Sequence, residues 1–222
     1  MSLDVLNEQL GLVRENNYTV AFNGSTIYEN VSKKKLINHL LKGEYGGEVL
    51  DILRQYPVNV LAYENEKLWC DKPTERIKRY ARNSFIPYYV TEDLRELVSH
   101  DFSKIIAISD NEKLSQIQQA CNSCGITEKV GVFFSGEDIL EFNPYNIDKG
   151  TGVKDLLEKI NIDPSEAIAI GDNFNDIPMI ENVGMGVAVK NGVDEIKSVA
   201  NYVTENDNNH NAVAEVIYKF IM

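Results

Sequence analysis

The run Ala167-Ile168-Ala169-Ile170 is short and continuously apolar, and Gly171-Asp172-Asn173-Phe174-Asn175-Asp176-Ile177-Pro178 follows it directly. Such a run reads as a strand buried on both faces, the pattern of a parallel sheet. Pro178 is excluded from a helix interior but fits the first turn, where backbone N–H groups lack partners anyway. A helix therefore begins close to Asn175, and Asp172 falls in the loop that leaves the strand. Ligands of open α/β sheets bind outside the carboxyl ends of the strands. That places Asp172, with Asn175 and Asp176 at the helix start, on one crevice. Two carboxylates around a strand-to-helix turn suit a hard cation such as Mg²⁺, and the Asn175 amide can meet a phosphate oxygen without adding repulsive charge. Helix capping by itself needs one such residue rather than a cluster.

The flanking pattern supports a parallel sheet. Val153, Leu156, Leu157 and Ile160 make one apolar stripe on a helix from Lys149 to Ile160. Helix 175–182, strand 185–189, helix 193–199 and a last helix 211–221 continue a β-α-β-α series, which right-handed crossovers would join. Lys149 opens its helix behind Asn146-Ile147-Asp148. The macrodipole disfavours a cation there, so an anion opposite Lys149 is expected.

Upstream, Asp4 to Val13 places Val5, Leu6, Leu10 and Val13 on one side of a helix. Strand Tyr18–Phe22 turns at Asn23-Gly24 into Ser25–Tyr28, and Asn-Gly between apolar runs is a hairpin signal. Residues 30 to 47 read as a polar, basic connection in which Lys33, Lys34 and Lys35 form a solvated face. Between Val49 and Phe142 the pattern is that of a small α+β domain: helix 49–55, strands 58–63 and 67–70, helices near 74–82 and 92–99, strand 104–109, helix 111–124, and strands near 129–134 and 138–142.

A chain of 222 residues accommodates two modest domains or one large one. We expect an α/β core from residues 1–31 and 143–222, with an α/β domain inserted over 32–142. The net charge of −12 opposes nucleic acid and anionic lipid, leaving a small anionic ligand held where a cation locally reverses the field. No apolar run approaches the ~20 residues of a membrane helix, and no signal-peptide pattern opens the chain, so a soluble cytoplasmic protein is expected. Cys121 and Cys124 form a lone C-x-x-C at helical spacing with Ile117 and Ala120, which reads as core packing. His39, His100 and His210 lie in polar surroundings and read as solvated.

Lys149-Gly150 followed by Gly171-Asp172-x-x-Asn175-Asp176 resembles the third and fourth motifs of haloacid-dehalogenase (HAD) superfamily phosphatases. The likeness is to the Cof-type branch, with its large cap inserted between the second and third motifs. Phe22-Asn23-Gly24-Ser25 is similar to the strand preceding the cap, and Gly184-Met185-Gly186-Val187-Ala188-Val189 to the strand after the fourth motif. The resemblance implies a Rossmann-like parallel core with an α/β cap, hydrolysing small phosphate esters through an aspartyl-phosphate with Mg²⁺. It implies that Asp172 and Asp176 serve the metal, that Lys149 is catalytic, and that Asn175, Asn23 and Gly24 bind substrate.

One departure matters. The family opens with an apolar strand ending Asp-x-Asp, then a helix and a second strand, and this sequence has neither strand. No nucleophile is assigned: the strand ending at Asp110 belongs to the inserted domain, and Asp4 follows no strand. We therefore expect an N-terminally truncated core, weak Mg²⁺ binding, no turnover by this chain alone, and an open sheet edge that a homodimer could cover. The alternative is a non-catalytic binding module that retains the cap. A small phosphorylated metabolite is the expected partner, its identity set by cap residues.

Overall fold

A computed structural model describes residues 7–64 and 67–222. The chain divides into two compact units, Met1–Phe22 with Tyr28–Asn146, and Asn23–Ile27 with Ile147–Met222.

In the first unit, strands β1 (Tyr18–Ala21), β2 (Thr26–Glu29, shared with the second unit) and β3 (Lys35–Asn38) form a three-stranded sheet in that order. The Asn-Gly hairpin is present, with a distorted turn in which Phe22, Asn23 and Gly24 all take positive φ, at 50°, 53° and 101°. The larger sheet holds β4 (Asn59–Glu64), β5 (Lys67–Cys70), β6 (Tyr88–Val90), β7 (Lys104–Ile108), β8 (Val130–Gly136) and β9 (Ile139–Pro144), in the order β6-β5-β4-β7-β9-β8. Only β5 and β6 pair in parallel. Helices α1 (Gly43–Leu53), α2 (Glu75–Ser84) and α3 (Asn111–Cys124) complete the unit.

Alternation along the strands divides two cores. Ala62, Ile105, Ala107, Leu140 and Phe142 pack with Val49, Leu50, Leu114, Ile117 and Cys121 of α1 and α3. Leu61, Tyr63, Leu68, Ile106 and Ile108 pack with Ile77 and Ala81 of α2. Cys121 is thus a core residue, and burial, with the Cys124 thiol nearby, pushes its own thiol up to about 12.

In the second unit, β10 (Ile168–Gly171), β11 (Met185–Ala188) and β12 (Tyr202–Val203) form a parallel sheet in sequence order, with β10 at an edge. Helices α4 (Lys149–Lys159), α5 (Ile177–Glu181), α6 (Asp194–Val199) and α7 (Ala212–Phe220) accompany it. Ala169 and Ala188 of the sheet pack with Ile180 of α5 and Ile196 of α6. Among the described residues no helix is long and apolar enough to cross a membrane.

Phe22 packs edge-on against Tyr63 at 5.6 Å. Two expectations are corrected. Residues 30–47 hold β3 and the first turn of α1, whose buried Gly43, Gly46 and Gly47 carry poor helix propensity and hide it from sequence. The helix expected over 4–13 is helical only at 7–9 within the described residues; Leu10 and Val13 are exposed, while Val5 and Leu6 lie outside the described residues.

Candidate functional site

The chain leaves β10 at Gly171 and turns into a short 3-10 helix, Phe174–Asp176, which runs into α5 with Pro178 in its first turn. The Asn173 side-chain oxygen accepts from the Phe174 N–H at 2.8 Å, and Asn173 and Asp176 cap the turn reciprocally. One carboxylate oxygen of Asp176, Oδ2, accepts from the N–H groups of Asp172 (3.0 Å) and Asn173 (3.2 Å). Gly171 makes this fold-back possible: a Cβ there would sit 2.5 Å from the Asp176 Cβ. Asp176 is consequently buried, although Asp172, Asn173 and Phe174 of the same loop are exposed.

Lys149 opens α4, where the N-cap Asp148 accepts from the Thr151 N–H at 2.8 Å and from its hydroxyl at 3.1 Å. The Lys149 ammonium donates to Asp176 Oδ1. An acidic partner close to the first turn of α4 offsets the unfavourable placement of a cation at a helix N-terminus. Burial works to raise the Asp176 pKa, but the bond to Lys149 and the two backbone N–H donors outweigh it and hold the carboxyl below its ordinary value.

The Asn23-Gly24 turn reaches the same place from the other end of the sequence. A Cβ on Gly24 would lie 1.9 Å from the Asp148 carbonyl oxygen, and its φ of 101° is one that few L-residues adopt. The neighbouring Ser25 hydroxyl is fully buried and has no hydrogen-bond partner among the described residues. Ser25 and Asn173 are the residues that the sequence reading did not single out. The Asn-x-x-Asp spacing around Asn173 is a capping signal that would have found it; nothing in the sequence marks Ser25.

The geometry thus joins Lys149, Asp176 and the backbone of Asp172 and Asn173, with Gly24 beside the start of α4. The Asp172 side chain is exposed and makes no bond among the described residues, and Asn175 is half-buried. Among the described residues no group of three or more His, Cys, Asp or Glu could hold a metal. Both oxygens of Asp176 are engaged, so Asp172 supplies the one open carboxylate of the pair. This donor set fits a Mg²⁺ ion that fills its shell with water and phosphate oxygens, and does not fit a metal held by protein alone.

An acidic loop at a strand end and a helix that opens on lysine thus meet through the Lys149–Asp176 bond of an α/β unit. The family model described as haloacid dehalogenase-like hydrolase matches residues 2–217, and the chain belongs to that family. It is 28% identical over 223 residues, covering 98% of this chain and 80% of its relative, to a Streptococcus pyogenes protein named "Putative phosphatase M6_Spy0533". Among solved structures, TM0651 from Thermotoga maritima superimposes with a TM-score of 0.85 at 29% identity, covering 100% of this chain and 82% of that one. A haloacid dehalogenase-like hydrolase from Bacteroides thetaiotaomicron gives a TM-score of 0.86 at 27% identity, with 96% and 80% covered.

Proposed function

We propose that the chain binds a small phosphate monoester at the Asp172–Asp176 loop, in the presence of Mg²⁺ held by Asp172, and that by itself it does not turn the ester over. The observation that carries the reading is the Lys149–Asp176 bond, with the second Asp176 oxygen gathering the N–H groups of Asp172 and Asn173. It fixes the loop from which the exposed Asp172 projects. Mg²⁺, when bound, would supply charge neutralisation for the phosphoryl oxygens. Lys149 would orient and neutralise the same oxygens, Asn175 would donate its amide to one of them, and Asn23 and Gly24 would line the approach. Asp176 is the positioning residue for Lys149 and for the loop.

Inactivity follows from the same inventory. Phosphoryl transfer is mostly positioning plus charge stabilisation, but an acceptor must still be in place. At this loop Asp176 is committed to Lys149 and Asp172 to the metal, which leaves no carboxylate as nucleophile or as base for water. The acidic composition and the phosphorylated ligand agree with a cytoplasmic setting.

The test pairs binding with turnover. Calorimetry with inorganic phosphate and Mg²⁺ should show weak binding that Lys149→Ala weakens about tenfold, the loss expected for one charge-assisted contact. A screen of phosphate monoesters with Mg²⁺ should release no phosphate. Binding that is indifferent to Lys149→Ala overturns the site. Magnesium-dependent turnover abolished by Asp172→Ala overturns the inactivity.

A further inference from the structure

Helix α2 carries Arg76, Lys78, Arg79 and Arg82 against a single acid, Glu75, in a chain whose net charge is −12. Like charges three and four positions apart destabilise a helix by repulsion, and here Arg76–Arg79, Arg79–Arg82 and Lys78–Arg82 all have that spacing. The helix buries only Ile77 and Ala81, so packing does not call for arginine at the other positions. Arg76, Arg79 and Asn83, at i, i+3 and i+7, lie along one side of α2. With Tyr80, Ile108 and Asp138 they line a cleft of about 270 Å³ that belongs wholly to the first unit.

The two arginines are unequally satisfied. One guanidinium nitrogen of Arg76 donates to Asp110 at 2.7 Å, and Asp110 is shared with Lys113 at 3.2 Å. Arg79 approaches Asp138 no closer than 3.7 Å, beyond hydrogen-bonding distance. An arginine has five N–H donors in a fixed fork, and these two keep most of theirs available toward the cleft. Tyr80 is tied by its hydroxyl to Tyr63 at 3.3 Å, which holds that wall in place.

We propose that this cleft is a binding site for a compact oxyanion, a phosphate or a dicarboxylate, held by the forks of Arg76 and Arg79 with the Asn83 amide as a further donor. The ligand displaces Asp138 from Arg79, exchanging a loose ion pair for a bidentate one. The volume is below the 300–1,000 Å³ typical of pockets for larger ligands, which limits the occupant to a small anion or the anionic end of a small metabolite. The residues lining the cleft all belong to the first unit, and the proposal does not rest on the function proposed for the Asp172–Asp176 loop.

The test is hydrogen–deuterium exchange on the full chain at constant ionic strength, with inorganic phosphate, malonate or chloride alone. Phosphate, malonate or both should slow exchange over residues 75–84 relative to chloride, and which of the two does so identifies the ligand class. Arg79→Gln should weaken that protection about tenfold in concentration, as loss of a charge-assisted fork requires. Asp138→Asn should move it to lower concentration, since the competing carboxylate is gone; this variant guards against a merely unfolded Arg79→Gln. Lys149→Ala, at the other loop, and Arg95→Gln, elsewhere in the first unit, should leave it unchanged. Absence of protection by either anion, protection indifferent to Arg79→Gln, or no gain from Asp138→Asn overturns the proposal.

Discussion

At residue 176 one carboxylate serves two helices: Oδ1 holds the lysine that opens α4, and Oδ2 holds the turn that leads into α5. Replacing Asp176 with Asn should cost about 1–3 kcal/mol, the range for a buried acceptor of charged and backbone donors when its partners are left unsatisfied. The pH dependence has a definite sign. Because the folded-state pKa is depressed, the contribution is fully present above the unfolded value of about 3.9 and is lost as pH falls through the folded value. Chemical denaturation of wild type and Asp176→Asn should therefore show a gap at neutral pH that closes in acid; a gap constant down to acid pH contradicts the assignment. Gly171→Ala should be destabilising for the same reason, since its methyl group would occupy the space into which Asp176 folds. The position of Asp172 at a strand end was legible because an apolar run and Pro178 bracket it. The Lys149–Asp176 bond was not, because 27 positions separate the two residues and no periodicity links them.

Among the elements, α3 and α4 were legible nearly to the residue because both have caps and an apolar stripe, whereas α1 begins in glycines that only burial makes helical. Helix α2 buries only Ile77 and Ala81, and Thr74 caps it by accepting from the Ile77 N–H. Thr74→Ala should cost about 1 kcal/mol, measured by denaturant midpoint at unchanged slope. In the neighbouring sheet, Lys104 on β7 and Glu141 on β9 form a buried pair at 2.9 Å, with side chains 11% and 6% exposed. Lys104→Met should cost about 3–5 kcal/mol by removing the ammonium that neutralises the buried Glu141 carboxylate, and adding Glu141→Leu should recover most of that. A double variant no better than the single one would show that the pair contributes more than mutual neutralisation. The pairing is not legible in sequence, since Lys104 opens one strand, Glu141 lies within another, and 37 positions separate them.

For the whole molecule, the sheet order of the second unit has a consequence that can be measured. Strand β10 is four residues of Ile-Ala-Ile-Gly, paired among the described residues with β11 alone, and it carries no lysine, proline or bulge of the kind that blocks edge pairing. Ile168 and Ile170 remain half-buried rather than buried, unlike the strand interior that their composition fits. A strand of this kind gains hydrogen bonds and apolar burial by pairing with a second copy. Opposing that gain is the repulsion of two chains each carrying −12, which salt screens over about 8–10 Å at moderate ionic strength. The chain is therefore expected to self-associate through β10, more strongly as salt is raised, in sedimentation equilibrium over a concentration series. Ile168→Lys should return it to monomer by placing a charge on the edge, while a lysine on the far strand, Val203→Lys, should have no such effect. A chain that is monomeric at every salt and protein concentration, or one whose association survives Ile168→Lys, would show that β10 is not the contact.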